Sequence, residues 1–71
     1  MSGQKKRSFA IAGHRTSVAL EPEFWAVLET QAEKTHKSLY GLVADIDAAR
    51  GPRPLASALR LYALEAAKGT I

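Results

Sequence analysis

From Arg15 to Leu20 the chain alternates strictly. Successive residues of a strand point to opposite faces, so Thr16, Val18 and Leu20 form one row and Arg15, Ser17 and Ala19 the other. The first row requires a core, and the second is small, polar and basic. Upstream, Phe9 and Ile11 alternate with small residues over 8–12, which predicts a second short strand. Its apolar positions are odd-numbered, whereas those of the first are even-numbered. Gly13 lies between them, where a bulge or a turn absorbs the change of phase. On this pattern 8–12 extends the same strand, folds back on it as a hairpin, or packs separately.

The period then changes. Pro22 suits a first helical turn, where its missing N–H is not needed, and Glu23 complements the positive end of the helix dipole. Phe24, Trp25, Leu28, Gln31 and Ala32 follow along one face, with Val27 on its flank, which predicts a helix over about 22–34. A turn through 35–38 ends at Ser38, a suitable N-cap. Leu39, Leu42, Val43 and Ile46 mark a second helix over about 39–50, stopped by Gly51-Pro52-Arg53-Pro54. A third runs from about 55 to 68 and ends at Gly69. Its core face is Leu55, Ala58, Leu59, Tyr62 and Ala66; Leu61 and Leu64 widen the apolar surface, so this helix is expected to meet more than one neighbour. No internal repeat or low-complexity segment is apparent. The fold class is mainly α with one or two short N-terminal strands.

Size and composition narrow the possibilities. With 71 residues and no cysteine, the chain has neither a disulfide nor a thiolate metal site to reinforce a small core. Pairing of two copies is the economical remaining solution, with a stable monomeric three-helix domain as the alternative. The net charge of +3 is concentrated at the front, where Lys5, Lys6, Arg7 and Arg15 all precede the first acidic residue, Glu21. Residues 1–7 read as a flexible basic arm ahead of a single domain over 8–71. This asymmetry points to a polyanion, nucleic acid before membrane. No apolar run approaches the roughly 20 residues of a membrane span, and the start lacks a secretory leader pattern, which makes the cytoplasm the expected compartment.

The order strand, Pro-opened helix, Ser-ended turn and second helix resembles the ribbon-helix-helix family over roughly Arg15 to Arg50. The carrying segments are Gly13-His14-Arg15-Thr16-Ser17-Val18, Leu20-Glu21-Pro22-Glu23-Phe24-Trp25, Leu42-Val43-Ala44-Asp45-Ile46-Asp47 and Ser57-Ala58-Leu59-Arg60. Together they look like a bacterial subfamily with an added C-terminal helix. The resemblance implies an intertwined homodimer whose two chains each give one strand to an antiparallel intermolecular ribbon. That ribbon enters the major groove of double-stranded DNA.

Carried over residue by residue, the base-contacting positions are Arg15, Ser17 and Ala19. Ala19 stands where the family carries a polar residue and offers only a methyl group. The phosphate-contacting set is Lys37, Ser38 and Leu39 at the start of the second helix, with Lys5, Lys6, Arg7 and His14. Where the family's turn carries Gly, this chain has His36. The dimer core comprises Thr16, Val18, Leu20, Phe24, Trp25, Leu28, Leu42, Val43 and Ile46. The function implied is a transcriptional regulator, a repressor or autoregulator associated with the nucleoid, assembling further on tandem sites. The alternative is a protein-interaction module, antitoxin-like or an adaptor, that docks a partner through its third helix.

Other chemistry has little equipment. Asp45 and Asp47 point in different directions on a helix, and Asp47 with Arg50 suits a surface ion pair. Ser17 has no histidine–acid pattern around it. No enzyme activity, metal or cofactor is expected.

Overall fold

The computed structural model describes residues 3–71. Two strands, β1 (Lys5–Ile11) and β2 (His14–Leu20), precede three helices, α1 (Pro22–Lys34), α2 (Leu39–Ala49) and α3 (Leu55–Lys68). The strands pair antiparallel with each other, Lys5 opposite Leu20 through to Ile11 opposite His14. Ala12 and Gly13 form the connecting turn with φ of 52° and 81°. Two left-handed residues in a two-residue loop match the twist of a hairpin. The change of apolar phase across Gly13 is therefore what a two-residue turn requires. Odd positions of β1 face the same side as even positions of β2, so Phe9, Ile11, Val18 and Leu20 are buried together.

Of the alternatives open for 8–12, the hairpin is the one observed, with β1 lying along one edge of β2. One expectation is corrected here. Of the basic arm, Lys5, Lys6 and Arg7 open β1 rather than forming a mobile leader; Met1 and Ser2 lie outside the described residues. Trp25 fixes β1 in place. Its indole Nε1 donates to the Lys5 carbonyl at 2.9 Å, its ring lies 6.0 Å from that of Phe9, and the Arg7 guanidinium stacks over it at 4.9 Å. Glu29 then holds Arg7 at 2.8 Å.

The hairpin lies over the helices, and one core joins Phe9, Ile11, Val18 and Leu20 to Trp25, Leu28, Leu42, Val43, Ile46, Ala58, Leu59 and Ala63. Helix α3 touches α1, α2 and β2. It does so through Ala58, Leu59 and the unanticipated Ala63, while Leu61 and Leu64 remain exposed. The residues assigned to a dimer core are thus covered within one chain, fully for Val18, Leu20, Trp25, Leu28, Leu42, Val43 and Ile46 and partly for Thr16 and Phe24. The radius of gyration is 11.5 Å, close to the roughly 11 Å of a compact domain this long.

Helix ends follow the sequence closely. Pro22 opens α1, and Gly69 closes α3 with φ of 80°. After α1 the left-handed position falls on His36, φ 58°, with the Lys37 amide bonded back to the Ala32 carbonyl at 2.9 Å. A side chain in this region costs roughly 1–2 kcal/mol. Part of that returns on substitution, so Ala12→Asn and His36→Gly should each stabilise by about 0.5–1 kcal/mol. Thermal unfolding followed by circular dichroism should show a rise of a few degrees for each; a fall would contradict the left-handed turns.

Candidate nucleic-acid interface

Alternation gives the hairpin a second face, directed away from the helices. On it lie Lys6, Ser8 and Ala10 of β1 and Arg15, Ser17 and Ala19 of β2, all exposed except the half-buried Ala19. Across the ribbon, Lys6 faces Ala19, Ser8 faces Ser17 and Ala10 faces Arg15. The two serine hydroxyls meet at 3.0 Å. No carboxylate belongs to either strand, and among the described residues neither Lys6 nor Arg15 is held in an ion pair. Two free cations flank a hydroxyl pair on a surface otherwise made of alanine. Small side chains let such a ribbon approach a partner closely, and the charges select an anionic one.

The remaining cations are placed differently. Arg7 is of the opposite parity, folded over Trp25 and held by Glu29. Lys5 shares that parity and is exposed. His14 lies at the end of the hairpin next to its turn, bordering a shallow depression lined also by Asp47 and Arg50. Asp47 holds Arg50 at 2.7 Å, in the ion pair expected from their spacing.

The start of α2 forms a second surface. Ser38 caps it, its hydroxyl accepting from the Gly41 amide at 2.9 Å. That leaves the amides of Leu39 and Tyr40 at the open, positive end of the helix, where anions are favoured. The Leu39 side chain itself packs against the core. Lys37 is exposed but paired with Asp45. Tyr40, which periodicity did not single out, links the two surfaces, because its hydroxyl donates to the Ala10 carbonyl of β1. It holds the amino end of α2 against the ribbon.

At the junction of β2 and α1, Glu21 is bound by Arg60 of α3 at 3.2 Å and by Gln4 at 3.3 Å. Hydrogen bonds from its own backbone and then from Arg60 and Gln4 hold its carboxyl below the usual carboxylate range. Arg60 also lies over the Phe24 ring at 5.8 Å. This cation is therefore committed to joining α3 to the ribbon's base.

The family model of the ribbon-helix-helix domain matches residues 4–67 of the chain. The chain belongs to the ribbon-helix-helix family. No match was found among curated proteins or among solved structures. The domains of this family are DNA-binding modules of transcription regulators. The matched region includes β1 and nearly all of α3, so the hairpin and the third helix both lie within the family's domain. No described helix is long and apolar enough to cross a membrane.

Proposed function

We infer that this ribbon-helix-helix domain binds double-stranded DNA with the outer face of its hairpin in the major groove and acts as a transcriptional repressor or autoregulator on the nucleoid. The observation that carries this reading is the outer face itself: two cations held in no ion pair among the described residues, two hydroxyls and no acid on a narrow two-stranded ribbon. The major groove admits such a ribbon and presents a different donor and acceptor pattern for each base pair. Arg15 suits the paired acceptors of guanine, Ser17 can donate or accept, and the Ala19 methyl can meet only an apolar group. The α2 amides of Leu39 and Tyr40, beside Ser38 and Lys37, suit a backbone phosphate and would fix the ribbon's register. Lys5 and His14 would add contacts from the ribbon's rim, and copies on tandem sites would extend the occupied DNA. Blocking a promoter in this way needs no catalysis and no cofactor.

Titration of isotope-labelled protein with duplex DNA, followed by amide chemical shifts, tests the assignment. Changes should concentrate at 6–10, 15–19 and 38–41. A second reading, partner docking through α3, is favoured by the exposure of Leu61 and Leu64. Changes confined to 58–68, with a silent hairpin, would support it and exclude the ribbon.

A further inference from the structure

The two edges of the hairpin are unlike. In an antiparallel pair, both backbone groups of a residue point the same way, toward the partner at one position and away from it at the next. The residues flanking a two-residue turn form a hydrogen-bonded pair. Ile11 therefore bonds to His14 across the hairpin, as do Phe9 to Thr16 and Arg7 to Val18. This leaves the backbone groups of Lys6, Ser8 and Ala10 along the outer edge of β1, and those of Arg15, Ser17 and Ala19 along the outer edge of β2. The β1 edge is met by Tyr40, whose hydroxyl donates to the Ala10 carbonyl. Among the described residues, no side chain and no backbone group outside the hairpin bonds to the backbone of Arg15, Ser17 or Ala19. The register of β2 runs without a bulge, and the strand contains no proline. An edge with none of these interruptions is a template for another strand.

Resting on the ribbon's assignment to DNA, we propose that two copies join β2 to β2 in a four-stranded sheet, ordered β1-β2-β2-β1, whose inner strands read bases and whose outer strands hold phosphates through Lys6 and Ser8. The occupant of the open edge is a second copy for two reasons. Domains of this family bind DNA as dimers, and the edge is self-complementary. A twofold axis at Ser17 pairs all seven residues of His14–Leu20, sets the two Ser17 residues opposite each other and puts Arg15 opposite Ala19. An axis at Arg15 would instead set like charges face to face. Strands lie about 4.8 Å apart, so the two β2 strands fit within a major groove about 12 Å wide. The two β1 strands are then about 14 Å apart, wider than the groove. Lys6 and Ser8 therefore stand over its phosphate rims. Lys6 and Arg15 share one face of the hairpin, but distance from the axis gives them different work: Arg15 specifies and Lys6 positions.

Two measurements test this. In the first, the single variants Ser17→Cys and Ser8→Cys of the full chain are oxidised separately, without DNA. The two serines are neighbours in the hairpin, with hydroxyls 3.0 Å apart, and both are exposed. Only Ser17 lies on the proposed axis, where opposed residues are close enough to bridge. Ser17→Cys should give a disulfide-linked pair of chains, and Ser8→Cys should stay unlinked. Any other pattern would overturn the four-stranded sheet while leaving the assignment to DNA standing. In the second, Lys6→Ala and Arg15→Ala are compared for the motif each enriches from a random duplex library and for salt dependence. Lys6→Ala should leave the motif unchanged and make the slope of log affinity against log salt shallower by about 1.8, the share of two lysines in a pair of chains. Arg15→Ala should relax the motif. An altered motif or an unaltered slope for Lys6→Ala would overturn the division of roles between the strands. If neither variant changes motif or slope, the assignment of the ribbon to DNA fails and this inference fails with it.

Discussion

Replacing Trp25 with alanine should cost about 3–5 kcal/mol, the range for truncating a large buried aromatic. A domain of this length has a total stability of roughly 4–11 kcal/mol, so the loss is a large fraction of the whole. Trp25 is 2% exposed and is the point where β1 joins the helices. Its loss opens a cavity beside Phe9, releases the Lys5 carbonyl and removes the surface on which Arg7 stacks. The damage should therefore be unequal along the chain. Amide exchange should rise most in β1, less in β2, and least in α2. Trp25→Phe keeps one aromatic ring but loses the indole N–H and the volume of the second ring, so it should cost about 1 kcal/mol for the hydrogen bond plus a packing loss smaller than that of the alanine variant. Urea unfolding followed by far-ultraviolet circular dichroism measures both. Near-equal costs for the two variants would mean that the hydrogen bond, and not ring burial, fixes the strand.

The second large effect concerns recognition. Arg15→Ala should remove roughly 1–3 kcal/mol of discrimination at one base position, the usual worth of a good bidentate contact. It should also reduce the dependence of log affinity on log salt by about 0.9 if Arg15 neutralises one phosphate, and by little if it contacts bases alone. Stability should barely change, because Arg15 is exposed and no ion pair among the described residues includes it. Arg7→Ala offers the contrast. Its guanidinium is engaged by Glu29 and Trp25, so the variant should affect the anchoring of β1 before it affects DNA.

The helices were legible because their signals are local. Pro22, Ser38, Pro54 and Gly69 mark their ends, and the apolar spacing marks their inward faces. The outward row Arg15, Ser17, Ala19 was equally legible, since alternation alone separates it from Val18 and Leu20. What the pattern left open was the partner of that strand. The change of phase across Gly13 fits a bulge as well as a turn, and only the register, with Ile11 opposite His14, selects the turn. That Ser8 and Ala10 share the outer face with this row became visible only with the pairing of β1 and β2. The basic run 5–7 was read as one arm, yet alternation sends Lys6 outward and Arg7 against Trp25. On α3, Leu61 and Leu64 drew the reading of a broad apolar surface, whereas small Ala58 and Ala63 make the close contacts.

The central claim is that the outer face of the hairpin reads DNA sequence. Selection from a random duplex library at two salt concentrations, with wild type and Arg15→Ala side by side, tests it most directly. The account predicts an enriched short motif for the wild type, tighter binding at low salt, and loss of preference at one position when Arg15 is removed. Weak binding with no enriched sequence, or a motif that Arg15→Ala leaves unchanged, would contradict it.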